Sequence, residues 1–233
     1  MELTEPDRAV LVASQLFRGL AAADIDALVP AFGVRELPAR RAVYRQDEQG
    51  AVELFVVLTG RLSITSRTGA GQGRGELVGP GEVFGELSVF DPGPRERTAT
   101  ALTGVRLAVL SRAAFVDWAL ARPQVSERLL RVLARRLRRT DADALDLLFV
   151  DVGARLAKAL CELAGRFGQP TASGLLVEHG LSQRQLAEMV GTSRESLNRQ
   201  LHGFAERGWL VAGRGLVVIR DPDRLARRAA PAD

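Results

Sequence analysis

The chain has 233 residues, 46% of them hydrophobic and 26% charged, with a formal net charge of +4. That length is generous for one domain and suits two of roughly 100 to 150 residues, each able to bury a core. The chain has no run of about 18 apolar residues and starts with the acidic stretch MELTEPDRAVLV, so neither a membrane span nor a signal peptide is expected, and a cytoplasmic location is.

Cys161 stands alone, and the histidines are His179 and His202. No internal disulfide, ordinary His/Cys metal site or four-cysteine iron–sulfur centre is therefore expected within one subunit. Charge is unevenly placed: residues 1–151 are neutral overall and residues 152–233 carry +4. The asymmetry suits a C-terminal domain that meets a polyanion.

From Val34 to about Ser111, the short runs ELFVVL, RLSITS, ATAL and VRLAVL alternate with the glycine turns LTGRL, VGPGEVFGE and DPGP. This pattern predicts an antiparallel β-roll. The segment RTGAGQGRGE, residues 67–76, lacks the GK[ST] of a phosphate loop and leads into another strand, so it reads as a flexible hairpin loop. The roll region holds no histidine, which speaks against a cupin-like metalloenzyme; no catalytic or metal-ligating residue is expected. One stretch breaks the apolar texture: GELSVFDPGPRERTA, residues 85–99, sets a glycine, a carboxylate and two arginines in a strand-like region.

Between Gln124 and Phe149 there is no Gly or Pro, and Leu130, Leu133, Leu137, Thr140, Ala144 and Leu147 recur at heptad spacing. A helix of about 26 residues spans roughly 39 Å, more than one small domain needs to cover. The seam therefore predicts a second copy of the chain as its partner, with the arginines at 131, 135, 136, 138 and 139 forming a solvated flank. Packing of this helix against the chain's own roll is the alternative.

Asp151 is an N-cap candidate ahead of the amphipathic run VGARLAKALCELAGRFG; Gly165 to Ser173 reads as a loop and GLLVEHG as a short strand. Next comes LSQRQLAEMVGTSRESLNRQLHGFAERGWL. Ser182 and Gln185 form a capping box, Gly191 breaks the first helix and Ser193 caps the second, which predicts helices at 182–190 and 193–207. Leu186, Val190, Leu197, Leu201 and Phe204 form the buried stripe. Arg194, Glu195, Asn198 and Arg199 stand on the opposite face, near the start of the second helix. Arginine can donate two hydrogen bonds to a guanine, glutamate can accept from a cytosine amino group, and asparagine can meet a base or a phosphate. VAGRGLVVIRD then reads as a hairpin with a GRG tip, and RLARRAAPAD as the end of a helix fading out.

Taken together, these residues resemble the cyclic-AMP receptor protein (Crp-Fnr) family of transcription regulators, from about Leu16 to Arg228. GELSVFDPGPRERTA resembles the phosphate-binding cassette, ARRLRRT with LLFVDVGARLA the dimerisation helix and hinge, and SRESLNR the recognition helix. FDPGPR and LLRVLARRLRRT look closest to actinobacterial members. The resemblance implies an α+β fold with a cyclic-nucleotide-binding roll at 1–123, a dimerisation helix and hinge at 124–150, and a winged helix-turn-helix at 151–233.

It also implies a ligand site. Amides of Gly85, Glu86, Leu87 and Ser88 would hold the cyclic phosphate, and Glu86 would accept from the ribose 2′-hydroxyl. The phosphate arginine is Arg95 by its distance from Glu86, or Arg97 by its place in the RTA triplet, with Thr98 adding a hydroxyl. Thr140 matches the threonine that bonds the base across the dimer, whereas Asp141 stands where Ser or Asn is usual. DNA contacts are implied for Ser182, Arg184, Ser193, Arg194, Glu195, Asn198 and Arg199.

The expected partners are double-stranded DNA carrying GTGA-like half-sites, a second copy of the chain and RNA polymerase. Cyclic AMP is the expected allosteric ligand, and no prosthetic group is expected. A regulator that needs no ligand, or that answers to a cyclic dinucleotide, stays open, as does a nucleotide-sensing module whose helical tail contacts a protein.

Overall fold

The computed structural model describes residues 2–50, 52–67 and 75–230, so most of the expected loop at 67–76 lies outside the described residues. The fold is α+β and divides into two units, residues 1–66 with 77–139 and residues 67–76 with 140–233.

The first unit is built on β1 (Gly33–Leu37), β2 (Ala42–Tyr44), β3 (Glu53–Thr59), β4 (Leu62–Thr65), residues 77 and 78 of β5 (Gly75–Val78), β6 (Val83–Phe84), β7 (Thr98–Ala101) and β8 (Val105–Ser111). They form two four-stranded sheets, ordered β1-β8-β3-β6 and β2-β7-β4-β5. The sheets share a core that includes Tyr44, Phe55, Leu62, Ile64, Phe84 and Leu107. Leu54, Val56 and Leu58, on the other face of β3, pack into a second core with Phe17, Ile25, Phe115 and Trp118. Strand β3 is thus covered on both sides, which is why ELFVVL reads as an unbroken apolar run rather than an alternating one.

The helices supplying that second core were not legible beforehand. They are α1 (Glu5–Ala13), α2 (Ala22–Asp26) and α4 (Arg112–Leu120). Helix α1 opens with a capping box between Thr4 and Asp7; aspartate replaces the usual Glu or Gln of that motif. The stretch at 85–99 also departs from its strand-like reading, because Glu86–Phe90 is a short helix, α3. Gly85 starts it in the left-handed region at φ +79°, a conformation open to glycine at little cost.

Helix α5 (Pro123–Phe149) begins in the first unit and ends in the second. The second unit continues with α6 (Val152–Phe167), β9 (Gly168–Thr171), β10 (Gly174–Glu178), α7 (Gln183–Val190), α8 (Arg194–Glu206), β11 (Leu210–Gly213), β12 (Leu216–Ile219) and α9 (Pro222–Ala229). Its sheet runs β11-β12-β10-β9.

Asp151 caps α6 by accepting from the amides of Gly153 and Ala154. The expected loop from Gly165 is not found. Helix α6 runs through Gly165 to Phe167, and β9 then pairs with β10. A glycine inside a helix costs only about 0.5–1 kcal/mol relative to alanine, too little to break a turn anchored by the fully buried Leu156, Leu160 and Leu163.

Candidate ligand and nucleic-acid sites

In the first unit, α3 and the segment leading to β7 bring four of the expected ligand residues together. Glu86, Ser88 and Arg95 are buried, and Gly85 begins the helix. Arg95 is fastened by its backbone: its amide donates to the Glu48 carbonyl at 3.1 Å, and its carbonyl accepts from the Asp47 amide at 2.7 Å. This double tether to the β2–β3 connection sends the side chain inward. Its Nη1 donates to the Gly85 carbonyl at 3.3 Å and to the Ser88 hydroxyl, and its Nη2 donates to the Glu53 carbonyl at 3.3 Å.

A Cβ on Gly85 would stand 2.9 Å from the Glu53 carbonyl and 3.2 Å from Arg95 Nη1. The close approach of arginine and cassette backbone therefore depends on that glycine.

The two candidate arginines are placed differently. Arg95 is only 8% exposed, whereas Arg97 is half-buried. The Thr98 hydroxyl accepts from the Gln46 amide at 2.9 Å. Leu87 is half exposed on α3.

Thr140 and Asp141 lie exposed on α5, in the second unit. The seam is uncovered along that helix: Leu130, Leu137 and Leu147 are 68%, 62% and 44% exposed. Thr140 and Ala144 are also exposed, and Leu133 is half-buried. Leu148 and Phe149 extend the apolar surface to the end of the helix, at 74% and 81% exposed.

In the second unit, Ser182 and Gln185 complete the capping box of α7. Gly191 ends that helix at φ +70°, where a Cβ would run into the Leu147 side chain. Ser193 caps α8 by accepting from the Ser196 amide. Leu197 and Phe204 are fully buried, and Leu201 nearly so, so the opposite side of α8 faces outward. Arg194, Glu195 and Arg199 are exposed there, and Arg184 is paired with Glu188 one turn on.

Arg194 Nε and Asn198 Nδ2 both donate to Gln183 Oε1, each at 3.3 Å, so one side chain of α7 holds two residues of α8. Asn198 is half-buried, and its Oδ1 is enclosed with no hydrogen-bond partner.

Sequence reading missed Gln183, and it missed Arg155, which reaches the ends of two helices. Arg155 donates to the carbonyls of Val190 at 3.0 Å, Gly191 at 3.1 Å and Val150. Periodicity carries no signal for either residue, because each lies on a polar face with many chemically equivalent neighbours.

Comparison with known proteins agrees with this division. Residues 34–121 match the family profile of the cyclic nucleotide-binding domain, and residues 154–228 match that of the Crp-like helix-turn-helix domain. A "CRP-like cAMP-activated global transcriptional regulator" of Mycobacterium tuberculosis is 43% identical over 223 residues, covering 94% of this chain and 98% of the relative. The "Cyclic AMP receptor protein" of Thermus thermophilus is 35% identical over 210 residues, covering 89% of this chain and 93% of that one.

Among solved structures, the "c-di-GMP Responsive Global Regulator CLP" of Xanthomonas campestris aligns with a TM-score of 0.71 at 26% identity, covering 85% of this chain and 99% of its own. The Mycobacterium relative is named as a regulator of transcription and the Thermus one as a receptor, neither as an enzyme. Among the described residues, no helix is long and apolar enough to cross a membrane.

Proposed function

This chain belongs to the Crp-Fnr family of transcription regulators and carries a cyclic-nucleotide-binding domain and a DNA-binding helix-turn-helix; from that premise we propose that it works as a homodimer that binds cyclic AMP and then a palindromic, GTGA-like DNA site. The observation that carries the ligand half of this reading is Arg95, a guanidinium only 8% exposed and seated on the first turn of α3. A cation held there is suited to a cyclic phosphate, because charge-assisted bonds to phosphate strengthen away from water. Arg95 rather than Arg97 is thus our phosphate residue. Glu86, buried in the same turn, takes the ribose hydroxyl.

For the dimer, the supporting observation is the exposed row Leu130, Leu137 and Leu147. Such a face on one helix is stable in water when a like face covers it. Thr140 lies in that row and bonds the base from the second subunit. Ligand binding at roll and seam alters the hinge at residues 149–153 and sets two α8 helices one DNA turn apart. RNA polymerase is the proposed partner of the bound dimer.

A cyclic dinucleotide is the second reading, favoured by the name of the Xanthomonas relative; Asp141, whose acceptor-only carboxylate adds negative charge, opposes its two phosphodiesters more than the single one of cyclic AMP.

Calorimetry of the whole chain against cyclic AMP, cyclic GMP and cyclic di-GMP, paired with anisotropy on a labelled GTGA palindrome, separates these readings. Cyclic AMP should bind and tighten the DNA complex. Equal DNA affinity with and without every nucleotide would overturn the allosteric reading. Arg194→Ala should weaken the palindrome by about 1–3 kcal/mol, and unchanged affinity would remove α8 from the interface.

A further inference from the structure

Arg95 is held by more than its hydrogen bonds. Its guanidinium carbon lies 4.3 Å from the centre of the Tyr44 ring and 5.9 Å from that of Phe55. Tyr44 is 9% exposed, so both members of the pair are withdrawn from water. Behind them the aromatic side chains form a wall: Phe55 and Phe84 stack at 4.9 Å with an interplanar angle of 15°, and Tyr44 stands 5.9 Å and 6.1 Å from them.

The strand brings Tyr44 there by an irregularity. Strand β2 shifts register against β7 between Ala42 and Tyr44, and Tyr44 ends opposite the small Ala99. Such bulges re-aim side chains.

A ring face and a carboxylate hold a guanidinium in different ways. The ring attracts the cation through its quadrupole and uses none of the N–H groups, whereas a carboxylate accepts from two of them. A guanidinium lying on a ring keeps its planar edge turned to oxygen acceptors, here the Gly85 carbonyl at 3.3 Å and the Ser88 hydroxyl.

We propose that Tyr44 is a positioning residue of the nucleotide site, its ring clamping Arg95 so that the guanidinium edge faces the ligand phosphate. The inference rests on the reading of Arg95 as the phosphate residue. It predicts that the aromatic face at position 44, and not the tyrosine hydroxyl, sets part of the affinity for the anionic ligand.

Calorimetric titration of the full chain with cyclic AMP tests it, with thermal unfolding of the ligand-free protein measured alongside. Tyr44→Phe should bind within about twofold of the parent, because the ring face remains. Tyr44→Leu should bind about tenfold more weakly. A series in which the ring of Tyr44→Phe is progressively fluorinated keeps the shape and drains the quadrupole. Its affinity should fall step by step, with a modest fall in the ligand-free unfolding temperature, since the same ring contact is present without ligand.

Affinity that ignores fluorination, or a Tyr44→Leu chain that binds like the parent, overturns the proposal and leaves the ligand site standing. A Tyr44→Phe loss as large as that of Tyr44→Leu overturns it in favour of the hydroxyl. If the parent chain itself binds no cyclic AMP, the ligand reading fails first and takes the clamp with it.

Discussion

Arg155 donates from Nε to the carbonyl oxygen of Val190 at 3.0 Å, closing the end of α7 from 35 residues earlier in the chain. The same guanidinium donates to Gly191 at 3.1 Å and to Val150 at the end of α5, so it satisfies carbonyls at two helix ends that have no partners within their own helices. Arg155→Ala should therefore lower the stability of the second unit by about 1–3 kcal/mol, the cost of leaving such acceptors unpaired. Arg155→Lys should recover only part, since an ammonium lacks the planar fork. Denaturant unfolding followed by circular dichroism gives the number; a loss below about 0.5 kcal/mol would mean water replaces the arginine without penalty.

Gly85→Ala places a methyl group 2.9 Å from the Glu53 carbonyl at a residue with φ +79°. The strain of a left-handed non-glycine residue alone is about 1–3 kcal/mol, and the contact adds to it. Nucleotide affinity should drop at least tenfold with the seam intact. A variant that titrates like the parent would show that the cassette backbone can relax around the methyl group.

Asp7 predicts an acid limb in stability. Burial pushes its carboxyl up, but hydrogen bonds from Arg106 and Thr4 outweigh burial and hold it below the ordinary value of 3.8. Arg106 Nη2 reaches the carboxylate at 3.0 Å, and its Nη1 pairs with Glu36. Because the folded value is depressed, the stabilisation is complete above the unfolded value and disappears as the pH falls through the folded one. Unfolding free energy of the parent should fall as the pH drops below the ordinary value of 3.8 and through the lower folded one, and Asp7→Asn should flatten that limb while costing stability at neutral pH. Parallel limbs in parent and variant would locate the acid transition elsewhere.

The seam offers a test that spares both sites. Leu137 is 62% exposed on α5, and Leu137→Glu puts a like-charged pair at the centre of the proposed dimer. Sedimentation should report a monomer, and affinity for the palindrome should fall at least a hundredfold, because two linked half-sites no longer bind together. A dimer that survives the substitution would assign the self-contact to another surface.

Legibility from sequence followed the range of the forces involved. Ser182, Gln185, Gly191 and Ser193 specify the two helices of the second unit because caps and breakers act within a few residues, and they were readable at once. The run ELFVVL was readable as strand, but its covering helices were not. Helix α1 carries a variant capping box, and α4 presents no clean apolar stripe. The α3 turn was misread because an apolar five-residue stretch serves helix or strand equally; the left-handed glycine before it decides the matter. Gly165, taken as a stop, is outweighed by three buried leucines on its own helix.

A β-roll, a long helix with a heptad row and a capped helix-turn-helix are all legible along the chain. All three follow from periodicity and from local hydrogen-bonding chemistry, which are written along the chain. Only the tertiary structure decided that Arg95 turns inward onto Gly85 while Arg97 remains half-buried, and that Tyr44 and Phe55 lie over that guanidinium. Two arginines two residues apart point to the same face of an extended segment, so strand alternation does not rank them. What separates them is the backbone tether of Arg95 to Asp47 and Glu48 and the aromatic wall beyond it, contacts between segments about fifty residues apart that no local spacing encodes.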